Sequence, residues 1–161
     1  MNLRIKADGS VHVSASRKVS VEEIVLFMRL KADFITDAIK QFSQIKTAEQ
    51  KTYFTNQQLM EYITEFCYKV YPHFEKRGIK FPQIKFRSMV SRWGSCHTVK
   101  KIVTFNTKLI YAPKSAVEYV VIHEFSHFLQ ANHSKKFYEE VEKLCPDWKT
   151  QKKILKTILI R

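Results

Sequence analysis

Turn formers are scarce in this chain of 161 residues, which has only 3 glycines and 4 prolines. With 45% hydrophobic and 13% aromatic residues beside them, that scarcity excludes a collagen-like repeat or a disordered polar tail and leaves a chain able to bury a core. Cysteine is sparse too. Cys67, Cys96 and Cys145 are odd in number and form no CxxC pair, which argues against a disulfide framework or a cysteine-only zinc site and suits a reducing cytoplasm. No run approaches the ~20 apolar residues that span a bilayer. The start, Met1 to Asp8, meets an acidic residue and Gly9 before any apolar stretch, which argues against a secretory signal. The expectation is a cytoplasmic chain with no membrane partner, built as one domain or one domain with a helical arm.

Acidic residues are the other deficit. Against 28 Lys and Arg stand 15 Asp and Glu, a net charge of +13. Between Phe81 and Val117 there is no carboxylate, only Lys85, Arg87, Arg92, Lys100, Lys101, Lys108 and Lys114. A second acid-free run, Lys149 to Arg161, carries Lys149, Lys152, Lys153, Lys156 and Arg161. Such runs either form a solvated face that keeps the chain soluble or attract phosphates, acidic partners or non-specific nucleic acid. No helix-turn-helix or RNA-recognition pattern supports sequence-specific reading.

Leu3, Ile5 and Ala7, then Val11, Val13 and Ala15, alternate about Asp8-Gly9 and predict a β-hairpin over 3–16. Ser20 with Glu23 is a capping box that opens a helix running to about Phe42, and the polar stretch Ser43–Lys51 reads as a linker. These make an amino-terminal segment, 1–50, ahead of a core, 51–161. Thr55 with Gln58 is a second capping box, followed by Leu59, Ile63, Phe66, Val70 and Phe74 at helical spacing as far as Arg77-Gly78. Strands are expected at Ile84–Phe86 and Ile102–Asn106, with Arg92-Trp93-Gly94-Ser95-Cys96 as the loop between them. Ser115 with Glu118 predicts the start of a third helix that ends near Gln130-Ala131-Asn132. Ser134 caps a fourth and Asp147 a last one, whose apolar stripe is Ile154, Leu155, Ile158 and Leu159. The pattern is α+β.

The third helix carries His123-Glu124-Phe125-Ser126-His127, with His133 beyond its end. Histidines at i and i+4 share one helical face, so both imidazoles reach a single ion. If the chain turns at Ala131-Asn132, His133 supplies a third nitrogen and leaves a fourth position for water, the arrangement of a catalytic rather than a structural zinc site. Glu124 follows the first ligand and is the natural general base. Histidines on a half-buried helix often serve only as hydrogen-bonded core residues, yet HExxH with a further His at this offset arises by chance in under about 0.1% of chains of this composition.

These residues, with Phe128, Asn132, Ser134 and Phe137, and with Arg92-Trp93-Gly94-Ser95-Cys96, Asn106, Leu109, Pro113 and Tyr119-Val120-Val121 before them, resemble the YgjP-like metallopeptidase-fold family of predicted metal-dependent hydrolases. That family is similar in its core to SprT-like and related zincin peptidases. The resemblance implies a zincin-like fold, a small mixed sheet against the HExxH helix, with zinc on His123, His127 and His133 and Glu124 as base. The His-to-His offset also matches metzincins, but Gln130 stands where those carry glycine.

Stabilising an oxyanion needs a further donor. Arg92 and Asn106 are the leading candidates, followed by Ser95, Tyr111 and Tyr119. Trp93-Gly94-Ser95-Cys96 reads either as a substrate-contact loop or as a loop whose Trp93 plugs the core beneath it, and Cys96 as a metal ligand beside a histidine ranks below the three better-spaced histidines. His12, His73 and His97 read as surface or capping residues. Three functions follow: a zinc metallopeptidase with an extended peptide on an edge strand near Ile102–Asn106; a nucleotide or phosphate-ester hydrolase using the basic 81–117 segment; and a nucleic-acid-associated protein with a structural metal site. Oligomeric state is not legible.

Overall fold

The computed structural model describes residues 1–5, 10–47 and 51–158. The Asp8-Gly9 turn, the linker positions 48–50 and Leu159 lie outside them. Two compact units emerge, Met1–Glu49 and Gln50–Arg161.

In the first unit, β1 (Asn2–Ile5) and β2 (Val11–Ser14) pair antiparallel with Leu3 opposite Val13. Two helices follow, α1 (Val21–Leu30) and α2 (Ala32–Thr47). Ser20 and Glu23 form the expected reciprocal cap on α1. The single helix expected to reach Phe42 instead breaks at Lys31 (φ −105°, ψ 10°), whose N–H turns back to Met28 and Arg29 carbonyls, and it resumes through Ser43–Thr47, which the sequence assigned to a linker. No described side chain of this unit is buried.

The second unit holds the core. Its helix α3 (Asn56–Glu75) opens on the Thr55–Gln58 capping box and buries Leu59, Ile63, Cys67, Val70 and Phe74. Gly78, at φ +77°, ends that run in the left-handed conformation that costs glycine least. The strands β3 (Gln83–Arg87), β4 (Gly94–His97) and β5 (Ile102–Asn106) form a sheet in the order β3-β5-β4, with β3 parallel and β4 antiparallel to β5. Two expectations are corrected here. The segment at 94–97 is a strand, not a loop. The strand at Ile102–Asn106 is central, with both edges paired, so the sheet's free edges among the described residues belong to β3 and β4.

A 3-10 turn, Thr107–Tyr111, leads into α4 (Lys114–Ser126). Ala116, Val117, Tyr119, Val120, Val121, Ile122, Glu124, Phe125 and Ser126 of this helix are all buried. A helix buried on every side has no polar face to spare, so each polar group on it needs a partner. Phe125 meets Phe74 of α3 with ring centroids 5.4 Å apart. Pro113 occupies the N-cap of α4, and the expected Ser115–Glu118 box is not made; Glu118 instead accepts from Tyr62 Oη at 2.5 Å. The remaining helices are α5 (Lys135–Leu144), capped by Ser134, and α6 (Trp148–Thr157). Asp147 precedes α6 but makes no side-chain cap; its carboxylate accepts from Gln151 Nε2 and from the Cys145 thiol. Among the described residues no helix is long and apolar enough to cross a membrane.

One ionic cluster ties the end of α3 to α5. Arg77 Nη1 donates to Glu140 Oε2 and to His73 Nε2, each at 2.7 Å, while Lys143 Nζ donates to Glu140 Oε1 at 2.7 Å. The hydrogen bond from Lys143, with Arg77 beside it, holds the Glu140 carboxyl below its usual value of 4.5. A depressed folded pKa contributes stability above the unfolded value and loses it as pH falls through the folded one. Glu140→Gln is therefore expected to lower the unfolding free energy by about 1 kcal/mol at pH 7, with the difference fading below pH 4.5. Urea titrations of both proteins at several pH values check this; a difference independent of pH contradicts it.

Candidate metal centre and its cavity

His123 stands in the last turn of α4 and His127 at its C-cap, where φ −63° and ψ −21° continue the helix and keep the i, i+4 alignment. The chain then tightens. Phe128, Leu129 and Gln130 N–H groups return to Phe125 and Ser126 carbonyls, and His133 follows just before the cap of α5. One ligand atom from each of the three imidazoles lies within 4.8 Å of the others.

His133 Nε2 is 3.0 Å from His123 Nε2, and two nitrogens bound tetrahedrally to one zinc at ~2.05 Å stand about 3.3 Å apart. The far sides of the rings are occupied as a ligand set requires. His127 Nδ1 is 3.2 Å from the Gln130 carbonyl, which only accepts, so Nδ1 carries the proton and Nε2 keeps its lone pair. Tyr119 Oη is 3.3 Å from His123 Nδ1. Burial, then the neighbouring imidazoles and Lys152, lower His123 to about 3, and burial lowers His127 as well, so both rings are neutral, the form that binds metal. The donor set fits a divalent transition metal. Beneath it lies fully buried Phe137, whose ring centroid is 4.9, 4.6 and 4.8 Å from those of His123, His127 and His133.

Glu124 is 6% exposed. Its carboxylate lies against Gly94 of β4, where a Cβ would stand 2.6 Å from Glu124 Cγ and from Oε1. The glycine that the sequence offered as a substrate approach thus admits the helix's own carboxylate. Burial raises Glu124 to about 8, while the charge of Arg92 pulls it down.

The imidazoles and Glu124 open into a cavity of about 630 Å³. Arg92, Trp93, Gly94, Ser95 and Cys96 form one wall; Lys152, Leu155 and Lys156 of α6 contribute another. Of the seven cations in the acid-free 81–117 segment, Arg92 alone lines it, so the basis for a phosphate-ester site in that segment is largely removed. The two lysines are what sequence reasoning missed: their spacing of four put them on one face of α6, but nothing local said what that face meets. Cys96 lines the cavity outside the histidine cluster, and burial followed by Glu124 pushes its thiol up to about 12. His97 Nδ1 accepts from Lys100 N at 3.2 Å, the capping role expected.

Asn106 is corrected. It is fully buried and does not line the cavity. Its Nδ2 donates to the Met89 and Arg92 carbonyls, both at 2.8 Å, and its Oδ1 accepts from Lys108 N at 3.0 Å and Met89 N at 3.3 Å. No donor remains for an oxyanion; the amide instead fixes the segment that presents Arg92. Tyr111 is likewise off the cavity, whereas Ser95 and Tyr119 line it. Asn106→Ala is expected to cost about 3 kcal/mol of stability, since it leaves buried main-chain groups unpaired; a change under about 0.5 kcal/mol in denaturant unfolding contradicts this scaffold role.

Two solved structures resemble parts of this chain. The metallopeptidase zymogen jannalysin of Methanocaldococcus jannaschii is 21% identical, with a TM-score of 0.48 over 60% of this chain and 97% of its own. The metallopeptidase zymogen abylysin of Pyrococcus abyssi is 19% identical, with a TM-score of 0.43 over 62% and 88%. No curated protein matches. The family model described as YgjP-like, metallopeptidase domain, matches residues 52–158, well over half of the sequence, and the chain belongs to that family.

Proposed function

We propose that this chain is a zinc-dependent peptidase whose catalytic unit is 51–161, with His123, His127 and His133 as ligands and Glu124 as general base. The observation that carries the reading is the convergence of three imidazole nitrogens within 4.8 Å of one another, on a cavity that a buried carboxylate shares. Three imidazole nitrogens with no thiolate suit zinc. A cation held there would supply Lewis acidity to a substrate carbonyl and to the attacking water.

The chain's own residues do the rest. Glu124 takes a proton from the attacking water at its carboxylate oxygen and passes it to the leaving amine. Its raised pKa suits the return step, and Arg92 beside it favours the ionised form needed at the start. The Tyr119 hydroxyl and the Gln130 carbonyl hold two ligand rings by their outer nitrogens. Gly94, Ser95 and Cys96 line the cavity on β4, whose outer edge is unpaired among the described residues, so an extended peptide added to that edge passes the metal site. Of the oxyanion-donor candidates, Arg92, Ser95 and Tyr119 reach the cavity. Three free cysteines support a cytoplasmic setting.

Purified protein is expected to hold one zinc per chain, to lose peptide cleavage on chelation and to regain it with zinc. Glu124→Gln is expected to keep the zinc and lose cleavage by about 10²–10⁴-fold. Elemental analysis and a peptide-cleavage assay test both; no stoichiometric zinc, or an active Glu124→Gln variant, overturns the reading. Release of phosphate from a nucleotide panel that is lost in the same variant favours the phosphate-ester reading instead.

Gly94→Ala is expected to mimic Glu124→Gln, because the added methyl occupies the place of the carboxylate. Zinc content near one per chain with cleavage reduced by at least about tenfold meets this expectation; undiminished cleavage refutes the contact.

A further inference from the structure

The cavity is one-sided in charge. Glu124 is the only acidic group lining it among the described residues, and it lies on the floor; Arg92, Lys152 and Lys156 stand around it. None of the three cations has a carboxylate within 4 Å among the described residues. A cation rim left unneutralised by the protein's own acids is available to a ligand.

Lys152 differs from an ordinary surface lysine in being held. It is half-buried. Its Nζ donates to Tyr138 Oη at 3.1 Å and lies 5.2 and 5.7 Å from the ring centroids of Tyr138 and Trp148. Those two rings stack at 4.3 Å, and Tyr138 in turn stacks on His133 at 6.2 Å. An aromatic ladder thus runs from the third imidazole to the ammonium. The anchoring partners are π faces and a hydroxyl, which orient a cation without cancelling its charge. Lys156 is one turn further along α6, and Arg92 approaches from the strand wall.

We propose that Lys152, with Lys156 and Arg92, forms a carboxylate-recognition subsite, so that the preferred substrate is a peptide carrying an acidic group beside the cleaved bond. This rests on the peptidase reading and deepens it. The carboxylate belongs either to an Asp or Glu side chain or to the peptide's own C-terminus, since both offer the same two oxygens. A charge-assisted hydrogen bond in a partly desolvated site separates acidic from neutral peptides by about tenfold to a hundredfold in affinity. A lysine at the same place meets repulsion.

The test uses the full chain as the zinc-loaded Glu124→Gln variant and fluorescent peptides that differ only in Asp, Asn or Lys at successive positions, each made with free and amidated C-termini. Anisotropy is expected to show Asp bound at least about tenfold more tightly than Asn, and Lys the weakest. Adding Lys152→Gln is expected to shrink the Asp-to-Asn ratio to within about twofold; Lys152→Arg keeps it, and so does Lys153→Gln on the same helix but off the cavity. A preference that follows the free C-terminus whatever the side chain assigns the subsite to the terminus.

Binding that is the same for Asp and Asn peptides and also the same for free and amidated C-termini, or a ratio that survives removal of all three cations, overturns the proposal. In the unsubstituted enzyme, equal cleavage of acidic and neutral peptides overturns the subsite and leaves the peptidase reading standing; cleavage of no peptide overturns both.

Discussion

A carboxylate in the last turn of a helix that is buried all round needs a neighbour that leaves it room, and Gly94 is what Glu124 faces. The contact leaves no space for even a methyl group, so it sets how closely β4 lies against α4. That in turn determines much of the site. β4 pairs with β5 through Gly94 opposite Phe105, and Phe105 is fully buried, so the sheet is held to the helix from the core side. With β4 pressed on α4, its residues Ser95 and Cys96 and the preceding Arg92 and Trp93 become a wall of the cavity rather than a loop above it. The close approach also keeps water from the carboxylate, and the loss of water rather than any neighbouring acid raises its pKa.

The three imidazoles obey the same logic at the helix's end. His123 and His127 are half-buried, where ring nitrogens are costly if they go unpaired. Here the outer nitrogens of His123 and His127 meet a tyrosine hydroxyl and a main-chain carbonyl, and the inner ones face each other. Phe137 under all three rings fills the space that would let them turn away. Specific orientation comes from packing and second partners together, and the first turn of α5 supplies the packing because Ser134 starts that helix immediately after His133.

The histidine cluster and its helix were legible because a period of 3.6 residues is a local property: any helix through 123–127 places those two rings on one face. The capping boxes at Ser20 and Thr55 were legible for the same reason. Strand β4 was not, since Gly-Ser-Cys-His lacks alternating β-branched residues and becomes a strand only through its partners 5–11 residues away in β5. Asn106 misled because a sequence shows that an amide ends a strand but not which way it turns; the main chain at Met89, Arg92 and Lys108 takes every hydrogen bond it has. The break at Lys31 left no trace, having neither glycine nor proline to mark it. Lys152 and Lys156 were visible only as charge, because the docking of α6 on α4 is a tertiary fact.

The net charge of +13 therefore resolves into separate roles. Lys85, Arg87, Lys100, Lys101, Lys108 and Lys114, which make the longest acid-free run, do not line the cavity, whereas Arg92, Lys152 and Lys156 come from two distant segments and converge on it. Their convergence bears on the proposed base, Glu124, as well as on the proposed substrate. Burial alone holds Glu124 protonated at neutral pH, which disables a general base. Positive charge around the cavity opposes that, Arg92 most directly, and a bound divalent cation acts in the same sense. Arg92, part of the proposed subsite for an acidic peptide, is thus also the cation that opposes the effect of burial on the carboxylate. An acidic group of the substrate entering the cavity competes for the same cations, so its first contact is Lys152 on α6, held by the Tyr138 ring that stacks on His133, while Arg92 is shared between it and Glu124.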